Sequence, residues 1–221
     1  MIMCGICGYT RVRATISPAF IESMKTDLAH RGPDAHGTWS DENMVLGHRR
    51  LSIIDVNAGH QPMLNEDGTI VTICNGEIYN YRQLRKRLET CGHRFKTRSD
   101  TEILVHLYES CGEEMVDHLV GMFAFVIWDS RTRVLLMARD RYGQKPVYYA
   151  QRNGQLIFSS GLKSLARHPD VSGTIDYSAL SKYLAFEYIP APLSIYRNVF
   201  KLDAGSMLIW RNGDIRIRRY W

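Results

Sequence analysis

The sequence predicts an α+β domain in which mainly antiparallel strands pack under a small number of outer helices. Short apolar or β-branched runs bounded by turn residues dominate the chain, which is typical of strands. Asp-Gly and Asn-Gly pairs separate several of these runs and indicate hairpins. Segments with helical spacing are fewer. Strands joined by tight turns run antiparallel, so the helices have to cover the faces of a sheet.

The predicted strands are runs in which apolar residues alternate with polar ones or stand together. We expect them at 4–10, 44–52, 70–74, 123–128, 134–138, 147–150, 156–159 and 206–210. Two-residue turns are favoured where the residue pair tolerates positive φ angles. Such pairs are Asp67-Gly68, Asn153-Gly154 and Asn212-Gly213.

The predicted helices show apolar residues at 3.6-residue spacing among charged ones. The apolar positions 84, 88 and 91 indicate one helix and positions 103, 104, 107, 108 and 111 a second, which places Cys91 and Cys111 in the core. Ser99, followed three residues later by Glu102, indicates a capping box at the start of the second helix. Further helices are expected at 19–28 and 177–186.

Composition limits the class of protein. The chain has 221 residues with 45% hydrophobic and 23% charged residues, which is typical of a folded globular protein and excludes wholesale disorder. Without a repeat or a linker, it predicts a single domain over residues 1–221. The longest apolar stretch, 119–128, is too short for a membrane helix, and no secretory leader is recognisable. We expect a cytoplasmic protein that binds no membrane.

The net charge of +5 raises the question of a nucleic-acid partner. The basic clusters at 82–87 and 211–219 are interrupted by apolar residues at structural spacing, which indicates solvated faces, so no nucleic acid is expected. Five cysteines form an odd set without a disulfide pattern, which favours a reducing compartment.

The chemistry begins at Cys4-Gly5-Ile6-Cys7. A C-x-x-C pair serves in redox and zinc proteins, but there is no βαβ context for the first and no second ligand pair for the second. Both cysteines can also be ordinary strand residues. A third interpretation makes Cys4 the first residue of the mature chain, after Met3 or a longer leader has been removed.

A free α-amine on Cys4 would give that residue two functions. The pKa of an α-amino group is about 7.7 to 8.0, so an appreciable fraction is neutral near pH 7 and can act as a base. It can take the thiol proton directly or through a water, which makes one residue both nucleophile and base. Such a thiolate attacks a carboxamide carbon well.

Motifs throughout the chain resemble the glutaminase domain of class II glutamine amidotransferases, specifically the amino-terminal half of glutamine-hydrolysing asparagine synthetases. The similarity extends from Cys4 to Trp221, and so many motifs in one order exclude chance. They are Cys4-Gly5-Ile6, Arg31-Gly32-Pro33-Asp34 with Gly37, His48-Arg49-Arg50-Leu51-Ser52-Ile53-Ile54-Asp55, Asn75-Gly76-Glu77-Ile78-Tyr79-Asn80, Ser99-Asp100-Thr101-Glu102, Gly121-Met122-Phe123-Ala124-Phe125, and Arg139-Asp140 with Gly143, Lys145, Pro146, Tyr148 and Tyr149.

The resemblance implies a four-layer α/β/β/α sandwich of two mainly antiparallel sheets, the N-terminal nucleophile hydrolase fold. It also implies hydrolysis of L-glutamine to glutamate and ammonia, with Cys4 forming a γ-glutamyl thioester and its α-amine acting as base and then as proton donor. The side-chain amide of Asn75 and the backbone N–H of Gly76 would form the oxyanion hole. From the residues alone, Asn75-Gly76 favours a hairpin turn over an oxyanion hole.

The resemblance assigns substrate contacts as well. Arg50 would hold the α-carboxylate, for which a guanidinium offers paired planar donors, and Asp100 the α-ammonium. Without the family, Arg50 is a solvated strand residue and Asp100 an acidic residue in the first turn of a helix. The family pattern extends the glutamine pocket to Leu51, Ser52, Ile53, Gly76 and Glu77.

Other charged residues of these motifs are expected to be structural. Arg31, Asp34 and Arg139 with Asp140 are interpreted as buried ion pairs that brace loops. His48 is interpreted as a hydrogen-bonded structural histidine, because the α-amine makes a second base unnecessary.

Two departures from the family stand out. Ser160-Gly161 replaces a Ser-Glu pair, which puts the coupling of ammonia to a partner in doubt. The S-G-G-x-D-S loop of the ATP-dependent synthetase domain is missing, as is a G-x-x-x-x-G-K-[ST] loop. The sequence therefore predicts no metal and no cofactor here, with ATP and Mg²⁺ confined to a synthetase domain or subunit that would consume the ammonia, with aspartate as its acceptor. A homodimer is left open.

Two further hypotheses belong to other classes of protein. If Met1 stays in place, Cys4 lacks its base, and the chain is a noncatalytic amidotransferase-like binding or regulatory domain. Otherwise it is a C-x-x-C metal or redox protein, although we expect no bound metal.

Overall fold

Two six-stranded sheets form the centre of the computed structural model, which describes residues 3–12, 17–52, 55 and 58–221. Two 3₁₀ helices, Pro18–Phe20 and Gly112–His118, accompany the regular elements. In chain order these are β1 (Gly5–Thr10), α1 (Ile21–Asp27), β2 (Ala35–Ser40), β3 (Met44–Arg50), β4 (Met63–Leu64), β5 (Ile70–Ile78), α2 (Tyr81–Thr90), α3 (Ile103–Cys111), β6 (Gly121–Asp129), β7 (Val134–Arg139), β8 (Tyr148–Arg152), β9 (Gln155–Ser159), α4 (Leu162–Leu165), α5 (Tyr177–Phe186), β10 (Val199–Lys201), β11 (Ser206–Arg211) and β12 (Asp214–Arg219).

The first strand of the chain, β1, occupies an inner position of its sheet. The first sheet has the order β10-β8-β9-β1-β3-β2 and the second β12-β11-β7-β6-β5-β4. Neighbouring strands pair antiparallel in both sheets. The prediction of mainly antiparallel sheets is therefore confirmed.

Three apolar clusters separate four layers. Ile6 and Leu46 of the first sheet meet Ile73 and Val126 of the second in the central cluster. The outer face of the first sheet packs against α1 and α4, and the outer face of the second packs against α2 and α3. The predicted α/β/β/α sandwich is confirmed, and it forms because each sheet has two apolar faces to cover.

Two of the three predicted two-residue turns are correct. Asn153-Gly154 joins β8 to β9 with φ angles of 50° and 78°, and Asn212-Gly213 joins β11 to β12 with φ angles of 52° and 95°. The hairpin predicted at Asp67-Gly68 is present, but the prediction of a two-residue turn there is wrong. There the connection between β4 and β5 runs from residue 65 to residue 69, closed by the N–H of Asn65 donating to the carbonyl of Ile70.

The predicted helices occur, with two corrections. The capping box is wrong, because α3 begins only at Ile103 and the carboxylate of Glu102 accepts the N–H groups of Lys96 and Thr97 instead. Cys91 is not a core residue; it follows the last turn of α2 and is exposed. Cys111 is partly buried and packs against the outer cluster of the second sheet, as predicted.

Four strands escaped prediction, namely β2, β4, β10 and β12. All four lie at the edges of the two sheets. An edge strand contributes fewer apolar side chains to a core, so its sequence pattern is weaker. In the described part of the chain, no helix is long and apolar enough to cross a membrane.

We predict that truncating a side chain of the central cluster lowers the free energy of unfolding far more than truncating an exposed apolar side chain. Leu46 is 0% exposed in that cluster, whereas Ile217 on β12 is 48% exposed. Leu46→Ala should lower the free energy of unfolding by about 2–5 kcal/mol, because it leaves a cavity between rigid sheets. Ile217→Ala, the control, should cost about 1 kcal/mol or less. Urea unfolding measures both, and equal losses would contradict the assignment of this cluster as the main core.

Candidate active site

The sulfur of Cys4 is positioned by the pairing of β1 with β3. Gly5 lies opposite Arg49 in that antiparallel pair, so the residue before β1 meets the residues that follow β3. Cys4 Sγ accepts a hydrogen bond from the backbone N–H of Leu51 at 3.3 Å. The guanidinium of Arg31 donates to the Cys4 carbonyl at 3.2 Å and fixes the backbone from the other side.

Asn75 and Gly76 lie inside β5, so a hairpin turn at this pair is wrong. Gly76 lies opposite Phe123 of β6 and has a φ of 154°. A Cβ atom at Gly76 would come within 2.0 Å of the Met122 carbonyl oxygen, so only glycine fits here. Asn75 is 1% exposed, and its side-chain Nδ2 donates no hydrogen bond within the described residues. A buried donor is thus left free beside the backbone of Gly76.

One cavity brings most of the predicted site residues together. Cys4, Arg50, Leu51, Gly76, Glu77 and Asp100 line it. Asn75 and Ser52 are not part of this lining. Asn75 precedes the lining residue Gly76 on β5, and the backbone N–H of Ser52 donates to the carboxylate of Asp34 at 2.8 Å. Ile53 lies outside the described residues. Residues not predicted for the cavity complete its wall: Gly59, Gln61, Ser99 and Thr101.

Two oppositely charged side chains, Arg50 and Asp100, line this cavity. Arg50 is buried and donates from its guanidinium to the carbonyl of Asp55 at 2.7 Å. Asp100 is also buried and accepts the N–H of Ile78 at 2.8 Å. Burial raises the pKa of Asp100 in spite of that hydrogen bond, and the nearby charge of Glu77 raises it further. A cation and an anion that line one cavity suit the two charged groups of an α-amino acid.

The thiol is not activated by its surroundings alone. Burial raises the pKa of Cys4, although the Leu51 N–H and the charges of Arg50 and Lys145 oppose the shift. At neutral pH the sulfur therefore keeps its proton unless a base removes it.

His48 does not supply that base. It is fully buried and its Nε2 bonds to the Cys74 carbonyl at 3.1 Å, which agrees with the predicted structural role. Burial lowers the pKa of His48 to about 3, against the effect of that hydrogen bond. The ring thus stays neutral at the pH values where most enzymes work.

The expectation of buried ion pairs among the other motif residues needs correction. Asp140 accepts backbone N–H groups, among them those of Phe123 and Lys145, and Arg139 donates to backbone carbonyls, among them that of Leu202. Asp34 is exposed. These residues brace loops, as expected, but through main-chain groups, because backbone atoms at loop ends need partners more than the side chains need each other.

Two side chains at or near the cavity, the partly buried Gln61 and the buried Lys145, were missed as site residues. Gln61 accepts the N–H of Cys74 at 2.6 Å and donates to Thr101 Oγ1 at 3.3 Å, which joins β5 to the segment that carries Asp100. Lys145 is buried and its Nζ donates to Met3 Sδ at 3.1 Å. Lys145 stood in a family motif, which was the available signal. Gln61 showed none, because its contacts span distant parts of the chain.

The two cysteines of the C-x-x-C pair lie on different sides of the first sheet. Cys4 faces the cavity, whereas Cys7 belongs to the outer cluster beside α1 and its thiol lies 3.7 Å from the Gly47 carbonyl. Burial raises the pKa of Cys7 far above its ordinary range. Both are free thiols. This arrangement contradicts a shared metal or redox site.

A family model described as the glutamine amidotransferase domain matches residues 3–221. The chain belongs to this family. Among curated proteins, this amidotransferase domain is 43% identical to asparagine synthetase [glutamine-hydrolyzing] 1 of Bacillus subtilis, a match that covers 99% of this chain and 35% of that protein. It is 36% identical to a putative asparagine synthetase [glutamine-hydrolyzing] 2 of Methanocaldococcus jannaschii, covering 99% of this chain and 46% of that protein.

Solved structures agree on the fold. The glutamine phosphoribosylpyrophosphate amidotransferase of B. subtilis superposes with a TM-score of 0.70 at 21% identity, over 99% of this chain and 49% of that one. This amidotransferase domain therefore spans between about a third and a half of the length of the relatives it matches.

We predict that His48 makes the amidotransferase domain sensitive to acid. Because its pKa is about 3 in the fold and ordinarily 6.5, the unfolded chain takes up a proton first as the pH falls below about 6.5. Stability is therefore lost between about pH 6.5 and 3. His48→Gln keeps a side-chain donor for the Cys74 carbonyl but cannot titrate. Its unfolding free energy should fall less steeply, by up to about 1 kcal/mol per pH unit. Urea unfolding from pH 7 to 4 measures this, and parallel slopes would refute it.

Proposed function

We propose that this chain hydrolyses L-glutamine to glutamate and ammonia through a thioester on Cys4. The observation that carries the proposal is the shared cavity, in which the thiol of Cys4 lies with the buried, oppositely charged side chains of Arg50 and Asp100. Membership of the glutamine amidotransferase family supports glutamine as the substrate.

In the proposed complex, Arg50 binds the α-carboxylate of glutamine and Asp100 its α-ammonium. Both side chains are oriented in advance, Arg50 by the Asp55 carbonyl and Asp100 by the Ile78 N–H, so little conformational entropy is lost on binding. The backbone of Leu51 and the carboxylate of Glu77 complete the wall. Ser52, and Ile53 outside the described residues, belong to the proposed pocket only through the family pattern. The γ-carboxamide is then directed towards Cys4.

The chemical steps conserve atoms and charge. The Cys4 thiol gives its proton to the base and its sulfur attacks the carbonyl carbon of the γ-carboxamide, while the electron pair of the carbonyl bond moves onto its oxygen. Asn75 Nδ2, a buried donor without another partner among the described residues, and the Gly76 N–H stabilise this oxyanion. The tetrahedral intermediate collapses, the C–N bond breaks and ammonia leaves with a proton from the base. Water then hydrolyses the thioester and returns the thiol.

The proposed base is the α-amine of Cys4 in a chain from which residues 1–3 have been removed. The raised pKa of the thiol and the neutral, hydrogen-bonded state of His48 support the need for such a base. An α-amine has a lower pKa than a lysine and is partly neutral near pH 7. After it has taken the thiol proton, it can return that proton to the departing ammonia.

We further propose that residues 1–221 form one glutaminase domain that supplies ammonia to an ATP-dependent synthetase domain or subunit of the asparagine synthetase type. Its curated relatives are about two to three times as long as this chain, which leaves room for such a domain. An exposed apolar face around α5 suits its docking, since Leu184 is 74% exposed beside Phe186 and Tyr188. ATP and Mg²⁺ would be used there, and no cofactor is needed for the hydrolysis.

A reducing, cytoplasmic setting is part of the proposal, because all five cysteines are free thiols and Cys4 must stay reduced to react.

The competing proposal is a noncatalytic binding domain. The observation that favours it is the set of contacts made by Met3. Its backbone N–H donates to the Arg31 carbonyl and its sulfur accepts a hydrogen bond from Lys145. With Met3 retained in this way, the nitrogen of Cys4 is part of a peptide bond and not a free amine.

The first test compares two forms of the amino terminus. A sample that begins at Cys4 should release ammonia from glutamine, and a sample that keeps Met1 should not, because its Cys4 nitrogen is an amide without basicity. Mass spectrometry verifies both termini. An electrophilic glutamine analogue should modify Cys4 alone among the five thiols. Cys7→Ala is the matched control and should retain activity. A sample that begins at Cys4 and releases no ammonia would defeat the proposal.

The second test separates binding from chemistry. Asn75→Ala should lower kcat about 100- to 1,000-fold with a small change in KM, because it removes a donor that acts on the oxyanion. Asp100→Ala should chiefly raise KM, since it grips the substrate in ground and transition states alike. Arg50→Ala should do the same. Steady-state kinetics with glutamine measures these values. A reversed pattern would refute the assigned roles while leaving hydrolysis itself intact.

A further inference from the structure

A second cluster of titratable side chains lies on the side of the second sheet that α2 and α3 cover. It consists of Glu66 in the β4–β5 connection, His93 after α2, and His106 and Glu109 on α3. One ligand atom from each of the four lies within 4.8 Å of all the others. His93 and Glu109 border an open cleft beside the exposed Cys91, which gives solutes access.

The distances between these atoms match those around a small metal ion. His93 Nδ1 lies 3.4 Å from Glu66 Oε1 and 3.9 Å from Glu109 Oε2, and His106 Nδ1 lies 3.2 Å from Glu66 Oε2. In a tetrahedral zinc site with bonds of about 2.0–2.2 Å, neighbouring ligand atoms are about 3.4 Å apart. Small side-chain adjustments would therefore bring all four onto one ion.

His106 is the observation that points to a ligand. It is 1% exposed, and neither of its ring nitrogens makes a hydrogen bond within the part of the chain that the structure describes. Its Nε2 faces the carboxylate of Glu102 at 3.7 Å. A carboxylate at this position favours the tautomer protonated at Nε2, which leaves a lone pair on Nδ1 facing Glu66 Oε2 at 3.2 Å.

The other ligands are oriented in a similar way. His93 Nε2 lies 2.8 Å from Ser110 Oγ, an arrangement that lets it donate there and keep its lone pair on Nδ1. The Arg94 N–H donates to Glu66 at 2.8 Å and the Asn65 amide to Glu109 at 3.3 Å. Such outer contacts are typical of metal ligands. The imidazole lone pairs and the negatively charged carboxylate oxygens that they face repel each other unless a cation lies between them.

We propose that Glu66, His93, His106 and Glu109 bind one divalent transition-metal ion, with zinc as the best match. Two neutral imidazoles and two carboxylates carry a charge of −2, which a divalent ion neutralises. Mixed nitrogen and oxygen ligands suit zinc and its neighbours, whereas Mg²⁺ and Ca²⁺ prefer oxygen alone. The ion would join three segments of the chain. One of them, α3, follows directly on the segment that carries Asp100 and Glu102.

Sequence spacing predicted no metal site, and the reason is clear from the fold. The ligands come from three separate segments. The His106 and Glu109 pair alone shows a recognisable spacing, three residues apart on one helix. The proposal does not rest on glutamine hydrolysis, because none of the four side chains lines the substrate cavity.

The test is metal binding to the full chain after treatment with a chelator. We expect one equivalent of Zn²⁺ in calorimetric titration, and a Co²⁺ absorption spectrum of tetrahedral type without a thiolate charge-transfer band. His93→Gln and Glu109→Gln, both at partly exposed positions, should each weaken Zn²⁺ binding about 100-fold or more. Zn²⁺ should raise the Tm of the parent chain and leave those of the two variants unchanged.

Controls separate this site from the reactive thiol. His30→Gln removes an exposed histidine outside the cluster, and Cys4→Ser removes the sulfur that could itself bind Zn²⁺. Both should keep one equivalent. Absence of binding to the parent chain would overturn the proposal. So would binding that survives in His93→Gln and Glu109→Gln, or a thiolate band in the Co²⁺ spectrum. Ammonia release from glutamine, measured in parallel, reports on the proposed hydrolysis alone.

Discussion

The antiparallel pairing of β1 with β3 determines where the sulfur of Cys4 can lie. β1 occupies an inner position of its sheet, between β9 and β3, so the backbone that leads into it is held on both sides. The Leu51 N–H reaches the sulfur only because that register puts the start of β1 beside the end of β3. A shift of one residue would turn the cysteine towards α1 and α4. In the proposed mechanism, the other site residues act on a substrate whose position is set by the sulfur of Cys4.

The second sheet imposes a further constraint, at the pairing of β5 with β6. β5 and β6 approach so closely at Gly76 that a side chain has no room, and this brings the Asn75 amide and the Gly76 backbone to the inner side of the molecule. In the proposed mechanism each sheet thus contributes one half of the chemistry, with the nucleophile Cys4 directly before β1 and the oxyanion donors on β5. The sandwich itself is what holds the two halves at a constant separation, because its core is packed with rigid side chains.

Much of this could be predicted from the sequence, for identifiable reasons. Inner strands such as β6 and β11 are continuous apolar runs, and Asn153-Gly154 and Asn212-Gly213 make tight turns with little help from elsewhere. The edge strands were not predicted and the capping box was predicted wrongly, because tertiary contacts decide both. Glu102 could bond to the backbone of Ser99 but accepts the N–H groups of Lys96 and Thr97 instead. At the site, Arg50 and Asp100 came from family motifs, whereas Gln61 and the cluster around His106 depend on contacts between distant segments that no local pattern records.

The edges of the two sheets also explain the basic carboxyl-terminal stretch. β4 and β10 have two and three residues, too few to template another strand, but β2 and β12 each present six residues at a sheet edge. Arg216, Arg218 and Arg219 line the β12 edge. Two copies of the chain that met there would bring like charges together, and this repulsion discourages edge-to-edge aggregation. Part of the positive charge that first suggested a polyanion partner thus lies along a sheet edge, where Arg216 and Arg218 also pair with Glu113 and Asp117.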